Sequence, residues 1–375
     1  MKLQALTSLR FVFAFMVFLC HLTYFRDSGI PVIRDLLENY LRFGYLGVNF
    51  FFMLSGFVMA FTYASAIGDK QFSRKNFLIK RAIRIVPLHY FTLLLITPVV
   101  VKSVLDDGGF TAHHTFQFLV RLGAHLTLTQ SFIPAIPYYF SFNAPAWSIS
   151  AEMFFYVMFP AIVAFIFRKG LIRSYAFYLV LLAIALILMT VIRNFYDMQW
   201  LFYINPFIRI LDFIMGIFLF FFYSIVRYSN KMNSSRATLL QIISLIIPVL
   251  FFMGIQEVYK TYSNSLYFYI PMALLIFSFA FSEGALAKVM SARFLVFLGE
   301  ASYSFYLTQD ITARYMNWNG NRLEIIKTYF ENNYIAFAAM QFMIALTVAI
   351  VVHLYVEKPV TVWLRKKFEK KSLAD

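Results

Sequence analysis

Apolar runs about twenty residues long recur along this chain. That is the length an α-helix needs to cross the hydrocarbon core of a bilayer. Ten such runs are read, at 4–25, 44–66, 85–105, 147–167, 173–192, 205–226, 238–256, 266–283, 294–313 and 334–356. The whole chain is 61% hydrophobic and 14% charged, against roughly 45–50% and about 25% for a soluble domain. A soluble fold could not bury this much apolar surface. In lipid, a chain without water must satisfy its backbone groups internally, which helices do. The expectation is an all-α integral membrane protein, a bundle of about ten transmembrane helices. The run at 85–105 is weakened by Pro87 and Pro98, and the run at 294–313 is the most polar. The longest connection, about 106–146, is expected to carry a short amphipathic helix near 115–130.

The positive charges test that count. With ten spans, the loops on the side of both termini hold 21 of the 33 Lys and Arg residues. The opposite side holds 11, and Arg10 lies inside the first span. Cytoplasmic loops carry the basic excess in membrane proteins, so both termini are expected in the cytoplasm. The net charge of +15 then belongs to those loops, and no nucleic-acid partner is expected. Trp147, Trp200, Trp318 and Trp363 fall at span ends, where an aromatic belt would sit. The first run begins like a signal peptide after Lys2, but Arg10 interrupts it. No small residues frame a cleavage site around Cys20, His21, Leu22 and Thr23, so it reads as a retained helix. Cys20 is the only cysteine, which excludes an intramolecular disulfide.

Ionisable residues inside spans are functional candidates. Arg10 and His21 lie eleven residues apart in the first run, on one helical face and about 16 Å apart along the axis. His21 falls toward the outer side. Glu152, with Ser148 one turn earlier, enters at a similar depth in the fourth run, just after Trp147. Arg209 and Asp212 form an i, i+3 pair, read equally as a structural ion pair, and Gln309 and Asp310 end the ninth run. Asp310 has Arg314 as an ordinary helix partner. A carboxylate beside a histidine orients the ring and raises its basicity, which suits proton removal from a hydroxyl. On the inner side, Lys80, Arg81 and Arg84 open the third run. Arginine forks match phosphate oxygens, although the bias of cytoplasmic loops explains these charges without a ligand. His353 and Glu357 read as a structural i, i+4 pair. His113, His114 and His125 match no metal-ligand spacing, and no metal is expected. No GxGxxG, Walker A or GxSxG sequence occurs. Gly44, Gly47, Ser55 and Gly56 suit close helix packing.

These residues sit in segments that resemble the bacterial acyltransferase family 3, multi-pass membrane proteins that O-acylate carbohydrates. Arg10 through Cys20-His21-Leu22 is similar to the family's Arg-x10-His motif. Residues 44–57, GYLGVNFFFMLSGF, resemble its second-helix signature. Arg81 and Arg84, within KRAIRIVP at 80–87, match its Arg-x-x-Arg motif. Trp147-Ser-Ile-Ser-Ala-Glu152 resembles its Trp-Ser-x-Ser-x-Glu segment. Residues 298–307 and Val356-Glu-Lys-Pro359 match late segments. The resemblance covers about residues 5–366 of a single acyltransferase-like domain. Three departures stand out. Gln309 occupies a position that is often His, Asp212 one where Glu is common, and Ala151 one where Val is usual.

The resemblance implies cytoplasmic acyl-CoA, with acetyl-CoA first in line, as co-substrate and no bound cofactor. It implies a hydroxyl of a cell-surface or lipid-linked carbohydrate as acceptor, and the bacterial inner membrane as location. His21 would be general base or transient acyl carrier, with Glu152 orienting or charge-balancing it. Arg10 would contact the donor or a polar acyl path, and Lys80, Arg81 and Arg84 would bind the donor phosphates. Ser148, Trp147, Arg209, Asp212, Gln309 and Asp310 would form an acceptor or structural polar layer. No second, esterase-like periplasmic domain is expected. The sequence leaves the oligomeric state open. The alternative is a glycan or lipid transporter with the same polar residues lining a path and no covalent chemistry.

Overall fold

The structure is a computed structural model that describes residues 3–192, 199–229, 232–262 and 268–372, with side chains left aside at 255–262 and 369–372. Lys2, Arg193 and Lys231, counted above among the loop charges, lie outside the described residues. So do the first two residues of the run expected at 266–283, and the side chains of Lys260, Lys370 and Lys371. Among the described residues every regular element is helical. In chain order they are α1 (Gln4–Cys20), α2 (Pro31–Asn39), α3 (Gly47–Gly68), α4 (Arg74–Asp106), α5 (Ala112–Leu126), α6 (Ile136–Tyr139), α7 (Trp147–Lys169) and α8 (Leu171–Ile192). Then follow α9 (Pro206–Tyr228), α10 (Ser234–Tyr262), α11 (Tyr269–Phe279), α12 (Ala285–Met290), α13 (Arg293–Met316), α14 (Arg322–Phe330), α15 (Tyr334–Val352) and α16 (Lys358–Ser372). Two π-helical turns occur, at Trp200–Ile204 and His353–Glu357.

Each of the ten expected spans is represented by a helix. Seven of these, α3, α4, α7, α8, α9, α10 and α15, are long and apolar enough to cross a membrane. α1 and α11 are apolar but shorter. α13 is long, but it carries Glu300, Asp310 and Arg314 and is not among the seven. On α8, Phe177, Val180, Ile187 and Val191 are exposed, and on α10 so are Ile242, Leu245, Ile246 and Val249. Outward faces this apolar are compatible with lipid rather than water. α5 coincides with the amphipathic helix expected near 115–130.

The sequence boundaries need three corrections. α4 starts eleven residues before the run at 85–105 and continues through both prolines. Its charged first turns hid the start, because a helix that extends beyond lipid needs no apolar run there. Tyr303 and Tyr315 of α13 donate to the Ile85 and Leu95 carbonyls, at 3.0 and 2.8 Å. α1 ends at Cys20, so His21 stands just past the helix rather than within it. Trp147 is buried in the protein and is not a lipid-interface anchor.

The chain divides into two compact units. The first comprises Met1–Phe13, Leu46–Leu78 and Ala151–Glu300; the second comprises Ala14–Tyr45, Ile79–Ser150 and Ala301–Asp375. Within the first, α3 and α9 cross with almost no space between their backbones. A Cβ on Gly56 would lie 1.9 Å from the Phe213 carbonyl oxygen, and one on Gly216 would lie 1.9 Å from that of Met53. Within the second, Phe18 of α1, Phe305 of α13 and Phe342 of α15 pack mutually, with ring centres 5.6–6.0 Å apart.

Candidate active site

The end of α1 determines the state of His21. The last carbonyls of a helix have no intrahelical donor. The backbone N–H of His21 turns to the Phe18 carbonyl, three residues back, at 3.0 Å. That tightening leaves the Val17 carbonyl to side chains. The His21 imidazole takes it, with Nδ1 2.8 Å from the oxygen. A carbonyl only accepts, so Nδ1 must carry the hydrogen. In the neutral ring Nε2 then holds a lone pair. His21 is half-buried.

Elsewhere in the second unit a buried carboxylate gathers groups from α4, α13 and the turn after α15. Glu357 is almost fully buried in the π-helical turn after α15. One oxygen accepts from Ser304 Oγ and from His353 Nδ1, each at 2.8 Å. The other lies 3.4 Å from a guanidinium nitrogen of Arg84. The Arg84 guanidinium is therefore anchored at one corner and remains a third exposed. Lys80 is exposed and Arg81 half-buried on the same helix. Sequence reasoning had His353 and Glu357 as an isolated pair and missed Arg84 as their partner. The carboxylate shared by three donors makes the turn a fixed support for α4. π-helical turns are rare and concentrate at functional sites.

The expected polar layer divides between the two units. In the second, Ser148 donates to the Pro145 carbonyl at 2.9 Å and lies 3.0 Å from the Tyr306 hydroxyl. Asp310 pairs with Arg314 at 2.9 Å. Gln309 is buried, and neither amide atom has a hydrogen-bond partner among the described residues. In the first unit, Glu152 accepts from Ser55 Oγ at 2.9 Å and from Tyr156 Oη at 2.6 Å through one oxygen. Arg10 is half-buried on α1. Arg209 and Asp212 form a fully buried pair at 3.0 Å. The guanidinium also donates to Asn49 Oδ1 at 2.8 Å and packs over Phe52 and Tyr203, 5.1 and 5.6 Å from the ring centres. Asn49 was not singled out from the sequence, although the glycines that bring α3 against α9 were the available signal. Through Asn49 and Phe52 the guanidinium ties α9 to α3.

The family model described as an acyltransferase domain matches residues 3–355. The acyltransferase MdmB of Streptomyces mycarofaciens is 26% identical over 96% of this chain and 91% of its own length. The proposed peptidoglycan O-acetyltransferase YrhL of Bacillus subtilis (strain 168) is 25% identical over 72% of this chain. A proposed O-acetyltransferase of Staphylococcus aureus (strain COL) is 23% identical over 74% of it. The match spans less than half the length of the last two, 44% and 47%. No solved structure matches the chain. With its family domain covering nearly the whole sequence, and seven helices long and apolar enough for a bilayer among the described residues, the chain belongs to the acyltransferase 3 family of membrane enzymes that transfer acyl groups.

Proposed function

We propose that this enzyme moves an acyl group, acetyl first, from cytoplasmic acyl-CoA to a hydroxyl of a cell-surface or lipid-linked carbohydrate. Both termini face the cytoplasm in this reading, and the protein sits in the bacterial inner membrane. One observation carries the catalytic assignment: the Val17 carbonyl holds the proton of His21 on Nδ1 and leaves Nε2 as the basic atom. Nε2 removes the proton of the acceptor hydroxyl as that oxygen attacks the thioester carbonyl. The C–O bond forms, the C–S bond breaks, and coenzyme A leaves as a thiolate that takes up the proton. Lys80, Arg81 and Arg84 bind the donor phosphates. Arg10 and Glu152 are assigned to the same reaction on the family resemblance alone. The test uses membrane vesicles given acetyl-labelled acetyl-CoA on the donor face. Label is expected in a glycan or glycolipid fraction, and only with intact His21. Absence of label with a panel of acyl-CoA donors and native glycan present would replace this reading with transport.

The donor side makes a separate prediction. Hydrogen bonds between charged groups contribute about 1.5–3 kcal/mol each. Arg81→Ala is therefore expected to raise the KM for acyl-CoA by about tenfold or more, with the acceptor KM unchanged. Arg84→Ala also leaves the buried Glu357 carboxylate without its cation, so it is expected to lower the yield of folded protein as well. A folded Arg81→Ala enzyme with unchanged donor KM would remove the phosphate role.

A further inference from the structure

Gln309 contrasts with its neighbours on α13. Thr308 and Thr312 donate to carbonyls one turn back, at 2.8 Å each, and Asp310 has Arg314. Gln309 is 2% exposed, yet among the described residues its amide has no partner at either end. Buried amides are nearly always hydrogen-bonded, so the exception points to a partner that comes and goes. Among the described residues three more amide oxygens in this unit are in the same state, one of them Oε1 of Gln130, whose Nε2 donates to the Ala146 carbonyl at 2.9 Å. The other two are Oε1 of Gln341 on α15 and Oδ1 of Asn143. The Asn143 Nδ2 donates to the Leu307 carbonyl at 2.9 Å, which ties it to α13 two residues before Gln309.

Register brings Gln309 and Gln341 to the level of His21. The Phe18–Phe305–Phe342 cluster marks one layer of the second unit. Further along both chains, Tyr24 lies under the Arg322 guanidinium at 4.9 Å, so α1 and α13 run the same way. Tyr24 also meets Phe337 and Tyr334, at 5.4 and 6.5 Å, so α15 runs the opposite way. His21 is three residues beyond Phe18, and Gln309 is four beyond Phe305. Both therefore occupy the next turn, about 5 Å further on, and on matching faces. Gln341 immediately precedes Phe342, about 1.5 Å from that layer toward the same end.

The chemistry of the set selects its ligand. The amide oxygens of Gln309, Gln341 and Asn143 and the Gln309 NH₂ carry no net charge and offer mostly acceptors. They suit a neutral molecule with several hydroxyl donors, and offer a phosphate a single donor group and no positive charge. We infer that Gln309, with Gln341 and Asn143, forms the subsite that holds the neighbouring hydroxyls of the acceptor and presents one of them to His21. This inference rests on the proposed acyl transfer for its purpose but not for its binding chemistry.

The test has two arms, run on wild type, Gln309→Leu and Gln341→Leu in lipid nanodiscs. In the first, thermal stability is followed with a panel of neutral methyl glycosides and with glucose 6-phosphate. At least one glycoside is expected to stabilise the wild type, the phosphate is not, and either leucine substitution is expected to remove the effect. In the second, label from acetyl-CoA is followed into the extracted membrane glycan fraction. The acceptor KM is expected to rise about tenfold in each variant, the size of one lost hydrogen bond, with the acetyl-CoA KM within twofold of wild type. A purely structural role would instead change both KM values and the folded yield together. Absence of glycoside binding, or a folded variant with unchanged acceptor KM, overturns the subsite. Glycoside binding that depends on Gln309 without any label transfer keeps the subsite and overturns the acyl-transfer reading. If one leucine variant fails to fold, the other decides.

Discussion

His21→Ala is expected to reduce acyl transfer by about 10²- to 10⁴-fold, the range a positioned general base contributes, with the KM for acyl-CoA unchanged. The argument starts from helix termination rather than from the motif. α1 ends one residue before His21, and the ring donates through Nδ1 to the Val17 carbonyl, which also accepts from Cys20 Sγ. Removing the ring removes the base and also a helix-end hydrogen bond of about 1 kcal/mol. His21→Asn separates the two effects. Its amide NH₂ can still donate to a carbonyl, but it supplies no base near neutral pH. Equal loss in the alanine and asparagine variants, with folded protein in both, is the expected result. An asparagine variant that keeps transfer would mean that the ring only caps the helix. If His21 carries the acyl group between donor and acceptor, acyl-CoA without acceptor should leave a labelled imidazole on the wild type and none on either variant.

How much of this was legible in the sequence depends on the range of each interaction. Runs of apolar residues are local, so the all-helical fold and its seven membrane-length helices could be read from them. The beginning of α4 could not, because Arg74, Lys75, Lys80, Arg81 and Arg84 break the apolar pattern while the helix continues. The tightening at His21 was equally hidden. Helical spacing placed His21 within the span, and only the coordinates show the backbone turning to Phe18. The motif residues were legible as types, but their partners were not. Arg84 with Glu357, and Arg209 with Asn49, join residues far apart in the chain, and no local pattern encodes those pairings. Gln309 was visible as a polar residue in an apolar run, whereas its lack of a partner is a property of the packed unit. The glycines lie between these cases. Gly44 and Gly56 read as packing positions, and both press against carbonyls of a neighbouring helix.

Gly216→Ala is expected to be among the most destabilising single-methyl changes in the protein. The added Cβ would fall 1.9 Å from the Met53 carbonyl oxygen and 2.8 Å from the Phe57 backbone nitrogen. Real Cβ contacts under 3.0 Å are essentially never seen, and here the obstacle is backbone, which cannot rotate away. α3 and α9 must then separate by about an ångström at a crossing where small residues allow close approach. Overpacking costs about 1–3 kcal/mol and occasionally more. The same separation pulls on the 2.8 Å bond between Arg209 and Asn49, two turns along the same pair of helices. Breaking a buried charge network adds about 3–5 kcal/mol. The expected outcome is little folded protein in detergent and a lower melting temperature for what remains. Gly123→Ala on α5 is the matched control, since nothing lies within 4 Å of its added Cβ. A helix-interior glycine replaced by alanine gains about 0.5–1 kcal/mol, so that variant should melt at the wild-type temperature or slightly above. Equal melting temperatures for the two variants would show that α3 and α9 are free to move apart. The Arg209–Asn49 bond would then be set by the side chains alone, and not by the glycine crossing.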